Sequence, residues 1–182
     1  MEPIESTKKF LEVSFRENPH FSFNNWKIMY DHSLLVQKFS LELAKNIKCD
    51  TLVLQIGALL HDIGKIYKAD EETLRKKHGE LGYAVSRDFI ETLNLTAVQK
   101  SNLKDILSSI GDSTERHIIK DADIIAFFAD AQLHMAFKKW ADERGFESEL
   151  QRKLDKISKL RFNESKEIAK PVYTEMKARW GL

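Results

Sequence analysis

Apolar residues recur at three- and four-residue spacings along most of this chain, and few runs alternate apolar with polar positions. With only 7 Gly and 3 Pro in 182 residues, the pattern predicts helices throughout. Segment 5–17 is a short amphipathic helix built on Phe10, Leu11 and Phe15, ended by Asn18-Pro19-His20. A long helix runs from about Asn25 to Ile47 on Ile28, Leu35, Val36, Phe39, Leu43 and Ile47. A third, about 50–62, is apolar on nearly every face and belongs at the centre. Gly64 is a plausible stop for it. Residues 65–77 are polar and charged and read as a loop with room for one helical turn. Helices follow at 79–93 and, behind the N-cap Thr96, at 96–110. After the turn Gly111-Asp112-Ser113, one long helix spans about 115–143. Segments 148–160 and 164–180 complete the chain, and Pro171 should start, kink or divide the last of them. The basic positions Lys153, Lys156, Lys159 and Arg161 read as a solvated helix face.

Polar groups interrupt the apolar stripes at three places. His32 has Ile28, Leu35, Val36 and Phe39 at i−4, i+3, i+4 and i+7, which puts an imidazole on the core-facing side of its helix. His61-Asp62 closes the apolar run that begins at Leu52. Asp121 and Asp123 stand among Ile118, Ile119, Ile124, Ile125 and Phe127. Each admits a plain reading: a core histidine satisfied by a carbonyl or hydroxyl, or a first-turn acid. Yet a buried carboxylate needs a compensating partner or it protonates. Taken together, His32, His61, Asp62 and one of the later pair, Asp123 or Asp121, put two imidazoles and two carboxylates on three predicted helices, a mixed N/O ligand set suited to Mn, Fe, Co, Ni or Zn and less well to Mg. Four protein ligands leave positions for water and substrate. Water on such an ion is acidified, and a phosphoryl oxygen on it is polarised.

Composition narrows the setting. At 42% hydrophobic and 31% charged residues the chain is globular, and 182 residues suit one domain, 1–182, with a metal-binding core at about 25–140 and C-terminal helices at about 148–180 packed on it. A net charge of +1 from 29 basic and 28 acidic residues gives no footprint for a nucleic-acid polymer or a membrane. The single Cys49 excludes an internal disulfide, reads as a structural or exposed thiol, and fits a reducing compartment. The first residues do not read as a signal peptide and no apolar run is long enough to span a membrane, so the cytoplasm is expected.

The order His…His-Asp…Asp resembles the signature of the HD-domain superfamily of metal-dependent phosphohydrolases. The resemblance covers about residues 25–140: Tyr30-Asp31-His32-Ser33-Leu34, then Leu59-Leu60-His61-Asp62-Ile63-Gly64-Lys65, then Asp121-Ala122-Asp123 leading into an apolar run. It implies an all-α bundle with a divalent metal held between central helices, and hydrolysis of phosphate esters or anhydrides, most often of nucleotides. It also implies His32, His61, Asp62 and Asp123 as ligands. The local pattern does not separate Asp121 from Asp123. Relatives with an Asp-Ala-Asp stretch place the second Asp on the metal, which selects Asp123 and leaves Asp121 beside the substrate to orient or deprotonate water. Lys65 could hold a phosphate as a point charge. His78 resembles a histidine found after the motif in many members and could bind the leaving group or donate a proton.

Members with two metals carry two further histidines before the last ligand. His78 can fill one place, but Ile106-Leu107-Ser108-Ser109-Ile110-Gly111 holds no His, and His117 lies on the next segment, so one ion per chain is expected. That counts against an oxidative di-metal enzyme. The remaining alternative is a non-catalytic HD scaffold that binds a nucleotide or a protein partner. The sequence does not fix which metal, which substrate or which oligomeric state.

Overall fold

The computed structural model describes residues 2–18 and 25–182. Among them the chain forms α1 (Pro3–Glu17), α2 (Trp26–Leu43), α3 (Thr51–Leu60), α4 (Glu71–Thr92), α5 (Ala97–Leu107), α6 (Thr114–Ala129), α7 (Ala131–Arg144), α8 (Glu147–Leu154) and α9 (Asn163–Trp180). Short 3-10 turns occupy Ala44–Asn46, Ile63–Ile66 and Asp155–Lys159. The expected all-α fold is the one observed, and no described helix is long and apolar enough to cross a membrane.

The apolar helix α3 sits at the centre, with Val53, Leu54, Ile56, Ala58, Leu59 and Leu60 fully buried and α1, α2, α5 and α6 packed around it. Each buried Leu or Ile there contributes roughly 1.5–3 kcal/mol. Its start is fixed by Asp50, whose Oδ1 accepts the amides of Leu52 and Val53. Asp50 also donates its own amide to Glu115 on α6 and accepts the Gln99 side chain from α5. Holding the N-terminus of α3 against two neighbours sets where its other end, at His61, must fall. At the far side α9 closes over α6 and α7: Phe128 meets Tyr173 at 5.0 Å, and the Trp180 indole donates to His134 Nδ1 at 3.2 Å.

Several boundaries differ from the expectation. Residues 71–77 are helical, because Asp70 caps α4 by accepting the Thr73 amide and hydroxyl. The expected helix 115–143 is two helices. Asp130, in extended backbone (φ −84°, ψ 92°), ends α6 and caps α7 through the Leu133 amide. Segment 148–160 is α8 followed by a 3-10 turn. Pro171 neither starts nor divides α9. The carbonyl it leaves without an N–H partner belongs to exposed Glu167, where water can serve. The Pro19-His20 part of the expected break after α1 lies outside the described residues.

Gly64 is not the stop of α3, which ends at Leu60. Gly64 lies inside the turn Ile63–Ile66, and a Cβ there would fall 1.9 Å from the His78 carbonyl oxygen and 2.8 Å from the Gly82 nitrogen. Glycine is required because this turn packs directly on the backbone of α4.

Candidate metal centre

Three helices deliver the site. His32 projects from α2 and is 2% exposed; Asp123 projects from α6, which packs along α2. His61 follows the last residue of α3, and Asp62 then turns the chain with φ −104° and ψ 4°, in the bridge region frequent at active sites. His32 Nε2 stands 3.2 Å from Asp123 Oδ1, and His61 Nε2 stands 3.8 Å from the same oxygen. One ligand atom each from His32, His61 and Asp123 lies within 4.8 Å of the others, a spacing that one ion can bridge.

The hydrogen bonds favour this use. His61 Nδ1 is 2.8 Å from the Ala58 carbonyl and must donate to it, which leaves the lone pair on Nε2. That Nε2 is buried and has no hydrogen-bond partner among the described residues. A buried acceptor without a donor, beside two carboxylates, fits a cation.

Asp62, the fourth expected ligand, stands beside the three. It is not one of the three grouped residues, although its Oδ2 is 3.4 Å from His61 Nε2. Lys65 Nζ reaches that oxygen at 2.5 Å, and His78 Nε2 stands 3.3 Å from Oδ1. Burial opposes its ionisation, but the charges of Lys65 and His61 outweigh burial and hold the carboxyl well below the usual carboxylate range. Asp123 is likewise held well down, by Lys156 and the two histidines against burial. Burial pushes His32 down. His61 is raised: burial opposes this, and the Asp62 and Asp123 carboxylates prevail.

His78 does not precede a helix as expected. It lies within α4, with Nδ1 bonded to the Leu74 carbonyl, because Asp70 starts that helix early. Asp121 is 2% exposed, and both its oxygens are engaged by backbone amides: Arg161 donates to Oδ1 and Oδ2, and Phe162 to Oδ2. This corrects its expected place as a free carboxylate beside water. The start of α9 has no local side-chain cap, and Asp121 ties it to α6 instead. Asp121→Asn puts an NH2 where an acceptor stood and should cost about 1–3 kcal/mol, seen as a melting temperature lower by several degrees. Metal affinity should stay the same. An unchanged melting temperature would remove the tether from the account.

Of the basic positions expected on a solvated face, Lys159 and Arg161 are exposed, while Lys153 and Lys156 are partly buried. Lys153 Nζ lies over the rings of Phe127 and Phe137 at 4.2 and 5.0 Å, and burial, with Lys156, lowers its ammonium to about 7. Lys156 Nζ is 3.4 Å from Asp123 Oδ2. Arg161 sets its guanidinium on His117, which also bonds Asp112, so His117 is committed away from the metal group. Sequence reasoning missed Lys156 as a neighbour of the site because it comes from a turn 33 residues beyond Asp123.

An all-helical fold that brings two histidines and an aspartate from separate helices to one point defines a helical protein with a group able to hold a metal ion. The HD domain family matches residues 29–161, most of the chain, and the protein belongs to that family. Among solved structures, an HD-superfamily hydrolase from Bacillus thuringiensis superposes with a TM-score of 0.72 at 16% identity, covering 98% of this chain and 93% of the other. That likeness shows the shared fold. No curated protein matches the chain.

Proposed function

We propose that this protein is a metal-dependent phosphohydrolase that cleaves a phosphate ester or anhydride of a small metabolite, with a nucleotide as the first class to try. The observation that carries the reading is the group of His32, His61 and Asp123, brought within 4.8 Å from three separate helices. A divalent ion held by them would acidify water and polarise a phosphoryl oxygen; the donor set suits Mn, Fe, Co, Ni or Zn better than Mg.

The chain supplies the rest. Lys65 and Lys156 flank the group, on Asp62 and Asp123, and offset negative charge on a phosphoryl group placed between them. Asp62 borders the group and is kept ionised by Lys65 and His61. His78 has Nδ1 on the Leu74 carbonyl and Nε2 3.3 Å from Asp62 Oδ1, which places its ring at the edge of the group, where it could meet a leaving oxygen.

A panel of Mn, Mg, Co, Ni and Zn against nucleoside mono-, di- and triphosphates, with Asp62→Ala as the blank, tests this. Phosphate or pyrophosphate release with at least one metal, absent in the blank, is expected. If protein with full metal occupancy releases neither across the panel, the reading fails. Nucleotide binding without turnover, unchanged by His61→Ala, would instead favour a non-catalytic scaffold.

A further inference from the structure

Asp123 faces two ways. Its Oδ1 meets His32 and His61, and its Oδ2 meets Lys156. On the Lys156 side a cavity of about 600 Å³ opens between α6 and the segment leading into α9, lined by His117, Lys120, Asp121, Asp123, Ile124, Lys156, Lys159 and Arg161. Four of its lining residues are cationic and two are carboxylates. Of those two, Asp121 is turned onto backbone amides and Asp123 onto the histidines. Neither Lys120 nor Lys159 makes an ion pair among the described residues, while Arg161 rests on His117 with Asp112 at 3.9 Å. Like charges gathered this closely repel one another, and burial and Arg116, against the pull of Asp112, lower the Lys120 ammonium. A chain whose net charge is only +1 has concentrated its cations beside one ligand of its metal group.

Resting on the proposed hydrolase reading, we infer that this cavity is a second anion subsite that selects substrates carrying a chain of phosphates. One phosphate lies at the His32–His61–Asp123 group, and the next ones extend past Lys156 towards Lys120, Lys159 and Arg161. A phosphomonoester would fill the first position and leave those cations without an anion. A di- or triphosphate satisfies both, with Lys156 at the junction. Specificity for phosphate number is thereby separated from the metal ligands: it is set by the residues after 155 together with the start of α6.

The test pairs wild type with a Lys120→Ala/Lys159→Ala double variant, two exposed positions whose loss leaves the packing untouched. Isothermal titration in EDTA measures binding of tripolyphosphate, pyrophosphate and inorganic phosphate. Wild type should bind tripolyphosphate at least about tenfold more tightly than inorganic phosphate, and the variant should lose that preference, with a steep salt dependence in wild type alone. On the loaded enzyme, the variant should raise KM for a nucleoside triphosphate and leave that for a monophosphate unchanged. Equal binding of the three anions, or tripolyphosphate binding that the variant does not weaken, overturns the subsite even when hydrolysis stands. Variant-sensitive tripolyphosphate binding in a protein that hydrolyses nothing keeps the subsite and sinks the hydrolase reading.

Discussion

His61→Ala should weaken divalent-metal binding by about a hundredfold or more and abolish metal-dependent phosphate release. Loss of a residue that merely supports a ligand costs about 10–100-fold in metal affinity, and His61 offers the ligand atom itself. Its Nδ1 is held by the Ala58 carbonyl, which leaves Nε2 as the atom turned to the group. Fold and ligand are separable here. The substitution removes a buried acceptor that has no donor, and Lys65 and Lys156 remain to balance Asp62 and Asp123. Metal content after dialysis, measured together with the melting temperature of the metal-free protein, decides the matter. Wild-type metal content in the variant would mean that the ion is held elsewhere.

Gly64→Ala should have the largest effect on stability, more than about 3 kcal/mol, which is the reach of overpacking where nothing can yield. The added methyl would meet the His78 carbonyl oxygen at 1.9 Å, its carbon at 2.9 Å and the Gly82 nitrogen at 2.8 Å, all backbone atoms of α4. A flexible side chain could rotate away, but a helix backbone must move as a body. Moving it also separates Lys65 and Asp62 from His78, so activity should fall further than the loss of folded protein explains. Gly145→Ala is the control. Gly145 has φ +68° with nothing within 4 Å of the added carbon, so it carries only the left-handed backbone cost of about 1 kcal/mol. Denaturant midpoints compare the two; equal losses would show that the contact between the turn and α4 is not tight.

The fold class and the three grouped residues were legible because each depends on local pattern. His32, His61 and Asp123 carry apolar neighbours at helical offsets, so helical periodicity alone turns them inward. Asp130 and Asp70 are local signals too, each an N-cap three residues ahead of the amide it accepts, yet they were masked by an apolar run in one case and a charged run in the other. What no local pattern carries is distance across the fold. The tie from Asp121 to Arg161 and Phe162, the approach of Lys156 to Asp123 and the demand on Gly64 from α4 all join residues far apart in sequence. A basic run such as Lys153 to Arg161 looks the same whether it faces water or a neighbour's carboxylate.

The clamp of Asp121 on the two amides before α9 has a consequence for the order of assembly. The grouped residues, at positions 32, 61 and 123, all leave the ribosome before residues 156 to 162 do. A nascent chain can therefore bring His32, His61 and Asp123 together before Asp121 has its partners, and the wall that carries Lys156, Lys159 and Arg161 is added only when the tail of the chain folds back onto α6.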